Sequence, residues 1–283
     1  MYDLFCSHKK QHSQKSIAIS AQGKSVSIVK FVSLILLCIL FSKLVSASEK
    51  LALPSLIKQI KPSVVGIALF TPLEANAPKL RGSGFVVGNG QYIITNYHVV
   101  AQELDENIVQ HYVALSGEGK APKAHKMEII DVDPVHDLAL LSINSALPPI
   151  KLASDDYADS GTSIAMTGFP LGAVLGLYPA THIGIIAALA PDVNPASNAD
   201  ELTIDMLKRL KEPFLIYQLD ITAFPGNSGS AIYNMNSGEV VGVLNKVFVS
   251  QGKESALSNP SGISYAIPVK HLRDLAKKNN IQL

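Results

Sequence analysis

The chain has 283 residues, 47% of them hydrophobic and 17% charged, enough for one large or two modest domains with a real core, and too apolar for a disordered chain. Lys plus Arg number 24 against 23 Asp plus Glu, a net charge of +1, which argues against nucleic acid or another polyanion as the main partner. Two cysteines, Cys6 and Cys38, cannot make a disulfide framework or a cysteine-rich zinc site.

The N-terminal segment reads apart from the fold. Residues 1–30 are polar and basic, residues 31–41 are apolar except for Ser33, and Val45-Ser46-Ala47 has the small residues of a cleavage site. The apolar run is short for ~30 Å of hydrocarbon. The expectation is a signal peptide over 1–47 and export to the periplasm or beyond. The alternative is an uncleaved anchor with Lys43 at the interface, which would be the chain's one contact with a membrane. A start nearer Val26 or Val29 would explain the long polar lead. Both cysteines lie in this segment, so residues 48–283 would fold without disulfides and rely on packing.

Residues 53–60 predict a short helix: Pro54 fits the first turn, Leu56, Ile57 and Ile60 share a face, and Pro62 stops it. From Val64 the pattern shifts to short apolar runs. Residues 85–87 and 92–95 flank Gly88-Asn89-Gly90-Gln91, and Asn-Gly is the strongest short hairpin signal. Further strands are predicted over 128–132, 138–143, 163–167, 181–187, 214–219, 231–233, 240–249 and 263–267, with Leu147-Pro148-Pro149-Ile150 as a connector between halves. The end turns helical, with Val269, Leu272, Leu275 and Ala276 on one face and Lys277 and Lys278 in the dipole-favoured last turn. Many short strands punctuated by Gly, Pro and Asn imply an all-β sandwich or barrels rather than a parallel α/β sheet.

Three short stretches carry chemistry. In Pro225-Gly226-Asn227-Ser228-Gly229-Ser230 a serine stands between glycines, between two strands. Small neighbours let a carbonyl approach Ser228 and free the N–H groups of Gly226 and Ser228 to converge on an oxyanion; an ordinary glycine-rich turn fits the same residues. His98, in Thr95-Asn96-Tyr97-His98-Val99-Val100, is expected at the end of an apolar strand, where a ring fixed by the strand end with one open face can act as a general base or simply be a satisfied core histidine. Asp137 opens the apolar run Leu138-Ala139-Leu140-Leu141. A carboxylate there needs hydrogen bonds, which an imidazole N–H or the turn itself could supply. The order His98, Asp137, Ser228 is that of the double-barrel chymotrypsin-like proteases among the convergent Ser-His-Asp enzymes.

With these blocks in place the chain resembles the trypsin-like protease domain of the HtrA (Deg) group, from Leu53 to about Leu275. The resemblance is carried by Leu53-Pro54-Ser55-Leu56, Pro62-Ser63-Val64-Val65, Gly82-Ser83-Gly84-Phe85-Val86-Val87, Ile94 to Val100, and Asp137 to Leu141. It continues through Gly168-Phe169-Pro170-Leu171-Gly172, Gly184 to Leu189, Gly226 to Ser230, and Gly262 to Pro268. It implies an all-β, chymotrypsin/trypsin-like double β-barrel with a short N-terminal and a C-terminal helix: barrel 1 over about 62–150, barrel 2 over about 151–268, and the helix over 269–280. His98, Asp137 and Ser228 would be catalytic and Gly226, Asn227 and Ser228 would form the oxyanion hole, with no cofactor and no metal. The implied activity is serine endopeptidase cleavage of unfolded or extended proteins by an acyl-enzyme route, in extracytoplasmic quality control, with a homotrimer as one assembly.

Three departures stand out: Tyr97 where the family has alanine, Ser230 where it has a second glycine, and an end at Leu283 with no PDZ domain expected. Between Leu189 and Phe214 a helix is predicted over about 196–211, capped by Ser197 or Asn198, with Leu202, Met206 and Leu210 on one face. It reads as a lid over the cleft or as a passive surface helix. Thr222, six residues before Ser228, is the expected base of the specificity pocket, and an uncharged residue there argues against strict Lys or Arg preference. If His98 is the base, activity rises with pH through neutrality. The alternatives are a catalytically silent double-barrel binding or scaffold protein, and an esterase using the same site.

Overall fold

A computed structural model describes residues 52–72, 77–105, 107–170, 176–192, 213–247 and 262–283. The expectations for residues 1–47, Leu171, Gly172, the 196–211 helix and residues 248–249 lie outside the described residues. The strands Val64–Phe70 (β1), Lys79–Val87 (β2), Tyr92–Thr95 (β3), His111–Ser116 (β4), Lys123–Asp133 (β5) and Leu138–Ile143 (β6) close into an antiparallel barrel in the order β1-β2-β3-β6-β5-β4. Ser163–Gly168 (β7), Ala180–Pro191 (β8), Leu215–Asp220 (β9), Ala231–Asn234 (β10), Val240–Val247 (β11) and Ile263–Pro268 (β12) close a second barrel, in the order β7-β8-β9-β12-β11-β10. The fold is the expected chymotrypsin-like double barrel.

Side-chain alternation explains how two barrels share one core. In β3, Ile93 fills the first barrel while Ile94 faces the core between barrels; in β6, Ala139 and Leu141 point inward while Leu138 and Leu140 point to that shared core. A strand buried on both faces loses the polar half of its pattern, so residues 138–141 read as a continuous apolar run. The second barrel is filled by Ile164, Met166, Ile186, Tyr217, Leu219, Ile232 and Leu244. Phe85, Phe169, Tyr233, Val243 and Ile267 from both barrels pack in the shared core.

The chain changes barrel at Lys151. The Ile150 N–H donates to Val86 O at 2.9 Å, the Val240 N–H to Lys151 O at 2.8 Å, and the Ala153 N–H to Val240 O at 2.8 Å. Among the described residues the α-helices are Leu53–Ile60 (α1), Tyr97–Val100 (α2) and Val269–Lys278 (α3). α1 buries Leu56 and Ile60, four residues apart, and α3 buries Val269, Leu272, Leu275 and Ala276. Arg273 of α3 holds Asp155 at 2.6 Å, and Lys278 reaches Asp131 of β5 at 2.8 Å. Among the described residues, no helix is long and apolar enough to cross a membrane.

Several strand readings change. β2 begins at Lys79 rather than 85, and β8 extends to Pro191 rather than 187. β4 is absent from the sequence expectation, because its buried Tyr112, Val113, Ala114 and Leu115 are bounded by the polar His111 and Ser116. β5 begins at Lys123 rather than 128, since His125 and Met127 turn inward between exposed Lys123, Ala124, Lys126 and Glu128.

Candidate active site

β3 ends at Thr95, and the chain turns at once into the single helical turn α2. His98 therefore sits in a one-turn helix beyond the strand, not at the strand's end. The buried Asn96 donates its side-chain amide to Asp137 O at 3.0 Å, and the Tyr97 N–H donates to the same oxygen at 3.1 Å. Two successive residues before His98 thus grip the Asp137 backbone. Asp137 lies in the turn before β6 with φ 52°, a left-handed conformation rare outside glycine but tolerated by Asp and Asn.

From that turn the carboxylate serves His98 twice. Oδ1 accepts the His98 backbone N–H at 2.9 Å, and Oδ2 meets ring Nδ1 at 2.6 Å. An ionised carboxylate only accepts hydrogen bonds, so Nδ1 carries the proton and Nε2 of the neutral ring is left as the acceptor. The Asp137 side chain is 17% exposed and the His98 side chain 49%: the carboxylate is sheltered while the ring keeps an open face.

Ser228 arrives from the second barrel on the loop between β9 and β10. The loop is wound by local bonds: Asn227 N–H to Phe224 O at 3.0 Å, Ser230 N–H to Asn227 O at 2.9 Å, Gly229 N–H to Leu244 O at 2.9 Å, and Leu244 N–H to Ser230 O at 2.9 Å. Gly226 and Gly229 have φ of 97° and 85°, which side chains resist. A Cβ on Gly229 would also meet Ser83 O, Thr95 Oγ1 and Asn96 N, so the loop lies directly on the segment that leads to His98. A Cβ on Gly82 would stand 2.7 Å from the Val99 side chain and 3.0 Å from Ser228 O, which again places the serine beside the His98 turn.

Among the described residues the N–H groups of Gly226 and Ser228 meet no acceptor. Asn227 has a different part: its N–H is used in the turn, and its side chain is fully buried. No hydrogen bond joins Ser228 Oγ to His98 among the described residues; such bonds are often long in an unliganded site and tighten on binding.

Some residues near the site gave little sign of themselves in the sequence. Ser83 on β2 was notable only as part of the Gly82-Ser83-Gly84 block, yet its N–H, C=O and hydroxyl all bond toward the site. His136 lies in a turn, with its Nδ1 2.6 Å from Asp133 Oδ2. The Asp133-Pro134 pair was the available turn signal. Burial pushes His182 below the ordinary imidazole range, and its ring packs 5.8 Å from Phe224 in the serine loop. Thr222 is half-buried, next to Ile221, whose N–H is held by Gly262 O at 2.9 Å. Among the described residues no group of three or more His, Cys, Asp or Glu is placed to hold a metal ion.

The model of the trypsin-like peptidase domain matches residues 82–243, a span that contains His98, Asp137 and Ser228. A Pseudomonas fulva protein named "Probable periplasmic serine endoprotease DegP-like" is 32% identical over 196 residues, covering 69% of this chain and 34% of the relative. The serine protease PepD of Mycobacterium tuberculosis is 28% identical over 229 residues, 79% of this chain and 46% of the relative. This chain thus spans about a third to a half of the length of these curated relatives. Among solved structures, the HtrA-type protease AlgW with a tripeptide superposes with TM-score 0.58 at 21% identity, covering 80% of this chain and 63% of that one. The active form of the M. tuberculosis protease Rv3671c gives 0.58 at 19%, covering 81% and 85%. At these identities the two structures speak for the fold.

Proposed function

Because the chain belongs to the trypsin-like peptidase family, with relatives of the HtrA (Deg) type, we propose that it is a serine endopeptidase with Ser228 as nucleophile, His98 as general base and Asp137 as the carboxylate that orients it. In this reading residues 48–283 form the peptidase domain. The observation that carries it is the pair of hydrogen bonds from His98 to the Asp137 carboxylate, beside a serine loop whose Gly226 and Ser228 N–H groups meet no acceptor among the described residues.

Ser228 Oγ adds to a peptide carbonyl carbon as His98 Nε2 takes its proton. The imidazolium is stabilised by Asp137, which holds Nδ1–H throughout. The carbonyl oxygen becomes an oxyanion facing the N–H groups of Gly226 and Ser228, each worth ~10²–10³ in rate in comparable enzymes. His98 then returns the proton to the leaving amine, and water repeats the sequence on the acyl-enzyme. The relatives' names support a periplasmic setting and protein substrates. Unfolded or extended chains, extracytoplasmic quality control, a pocket floored by Thr222 and a trimeric assembly belong to the same proposal.

A fluorophosphonate probe tests it. Wild type is expected to label and Ser228→Ala not to label, with His98→Ala strongly slowed. Equal labelling of wild type and Ser228→Ala would remove Ser228 from the mechanism. No labelling of a folded wild type would leave a binding or scaffold protein. Casein and small-ester assays in parallel separate peptidase from esterase.

A further inference from the structure

We infer that Ser83 is a positioning residue that sets the oxyanion loop from the opposite barrel. The inference rests on the endopeptidase reading above and goes beyond it, because Ser83 touches no reacting atom.

Ser83 lies on β2, fully buried, where an unpaired hydroxyl would be costly. Its hydroxyl is instead satisfied across the barrel boundary, donating to Gly226 O at 2.7 Å and accepting the Phe169 N–H at 2.9 Å. Its backbone continues the tie: the Ser83 N–H donates to Ser228 O at 2.8 Å, and its carbonyl accepts from Thr95 Oγ1 at 2.7 Å. One residue therefore joins the segment entering the His98 turn, the serine loop on both sides of Asn227, and the end of β7.

The geometry of these bonds bears on the Gly226 and Ser228 N–H groups, which meet no acceptor among the described residues. Gly226 C=O and Ser228 C=O belong to the peptide planes that flank the plane carrying the Ser228 N–H. With both carbonyls captured from barrel 1, that N–H is held between two fixed planes. Gly226, at φ 97°, has the least steric restraint in the loop, and the Ser83 hydroxyl removes much of that freedom. The loop's own side chains do not do this work. Among the described residues Asn227 Nδ2 and Oδ1 and Ser230 Oγ are buried without partners, and Ser83 has the one side chain that bonds the backbone of 224–230.

The test compares wild type, Ser83→Ala and Ser83→Cys as the full chain. Alanine removes the hydroxyl and cysteine fills the site with a slightly larger side chain that is a weak donor, so the two variants together guard against one that fails to fold. Three quantities are read: kcat and KM on a peptide substrate, affinity for a peptide aldehyde that forms a tetrahedral adduct with Ser228, and hydrogen–deuterium exchange of peptides covering 222–230. We expect kcat to fall ~10²-fold with KM changed less than threefold, aldehyde affinity to fall in step with kcat, and exchange in the loop to rise while thermal melting of Ser83→Cys stays near wild type. A folded Ser83→Cys with kcat, aldehyde affinity and loop exchange all within twofold of wild type would overturn the inference. So would a loss confined to KM. An inert wild type would sink the endopeptidase reading, and loop exchange would still decide whether Ser83 holds the loop.

Discussion

The ring of His136 stacks on the ring of His271, with centroids 4.0 Å apart and planes 21° from parallel. His136 is the residue before Asp137, and His271 lies on α3, so the stack couples the C-terminal helix to the turn that carries the carboxylate. Phe214 closes the group edge-on, 4.5 Å from His136 and 5.4 Å from His271.

This cluster makes stability pH-dependent. Burial, then the neighbouring His136, push His271 down to about 4, with Lys270 adding to the effect and Asp274 and Asp133 opposing it; its Nε2 is buried without a partner. A histidine depressed in the folded state takes its proton first in the unfolded chain. Stability is therefore full above about pH 6.5 and falls as pH drops toward 4. Urea unfolding of His271→Phe should show a shallower loss than wild type across pH 6.5–4.5, because phenylalanine keeps a ring in the stack and does not titrate. Parallel slopes would remove His271 as the source.

Asp137→Asn separates orientation from backbone strain. Asparagine tolerates the left-handed φ of 52°, so the turn should survive and melting should change little. Its amide can present an N–H to His98 Nδ1, which moves the ring proton to Nε2 and leaves Ser228 without a base. The expected fall in kcat is ~10³–10⁴-fold. Asp137→Ala should lose as much activity and also ~1 kcal/mol of stability, because alanine resists that φ. Near-normal kcat in Asp137→Asn would refute the assigned tautomer.

The sequence was informative where local pattern and burial agree. Apolar runs such as residues 138–141 announce strands buried on both faces, and Gly226-Asn227-Ser228-Gly229 announces a loop that needs positive φ at two glycines. It was uninformative where a residue's partner is far along the chain. His136 and His271 meet only after both barrels close, and no periodicity links them. Ser83 looked like a small residue inside a glycine motif, because its meaning lies in Gly226 and Phe169 of the other barrel. The position of His98 was misread by one element, since the left-handed Asp137 and the two bonds it accepts from Asn96 and Tyr97 draw the chain into a helical turn that strand propensity does not foresee.

Ser230 and Gly168 form a paired constraint. A Cβ on Gly168 would fall on Ser230 Oγ and approach Ser83 Oγ at 2.9 Å and Asn227 Oδ1 at 3.1 Å. Gly168→Ala should cost ~1–3 kcal/mol by overpacking and lower activity, since all three of those residues belong to the serine loop or its tie. Ser230→Gly in the same chain removes the worst contact and an unpartnered buried hydroxyl. It should recover more than half of the lost stability, a coupling of about 1 kcal/mol or more in a double-mutant cycle. Strict additivity of the two changes would show that they do not touch.

Asp131 supplies a second acid-sensitive tie, in a lower window than His271. Hydrogen bonds from Lys278, then Asn279, then the Val132 N–H hold its carboxyl down to about 2, and the contacts are 2.8 Å to Lys278 and 2.9 Å to Asn279. A carboxylate depressed in the folded state contributes stability above its ordinary value near 3.8, and that contribution is lost as pH falls toward 2. One tie joins α3 to the turn that follows β5 and the other joins the end of α3 to β5 itself, so acid should loosen the C-terminal helix in two steps: His271 from pH 6.5 to 4, then Asp131 from pH 4 to 2. Asp131→Asn should abolish the lower step and leave the upper one. Because Lys278 is 67% exposed, salt should weaken the lower step. Hydrogen–deuterium exchange of peptides covering 269–279 across the two windows reads both steps directly, and a single cooperative loss with no helix-specific signal would show that the ties do not act on α3.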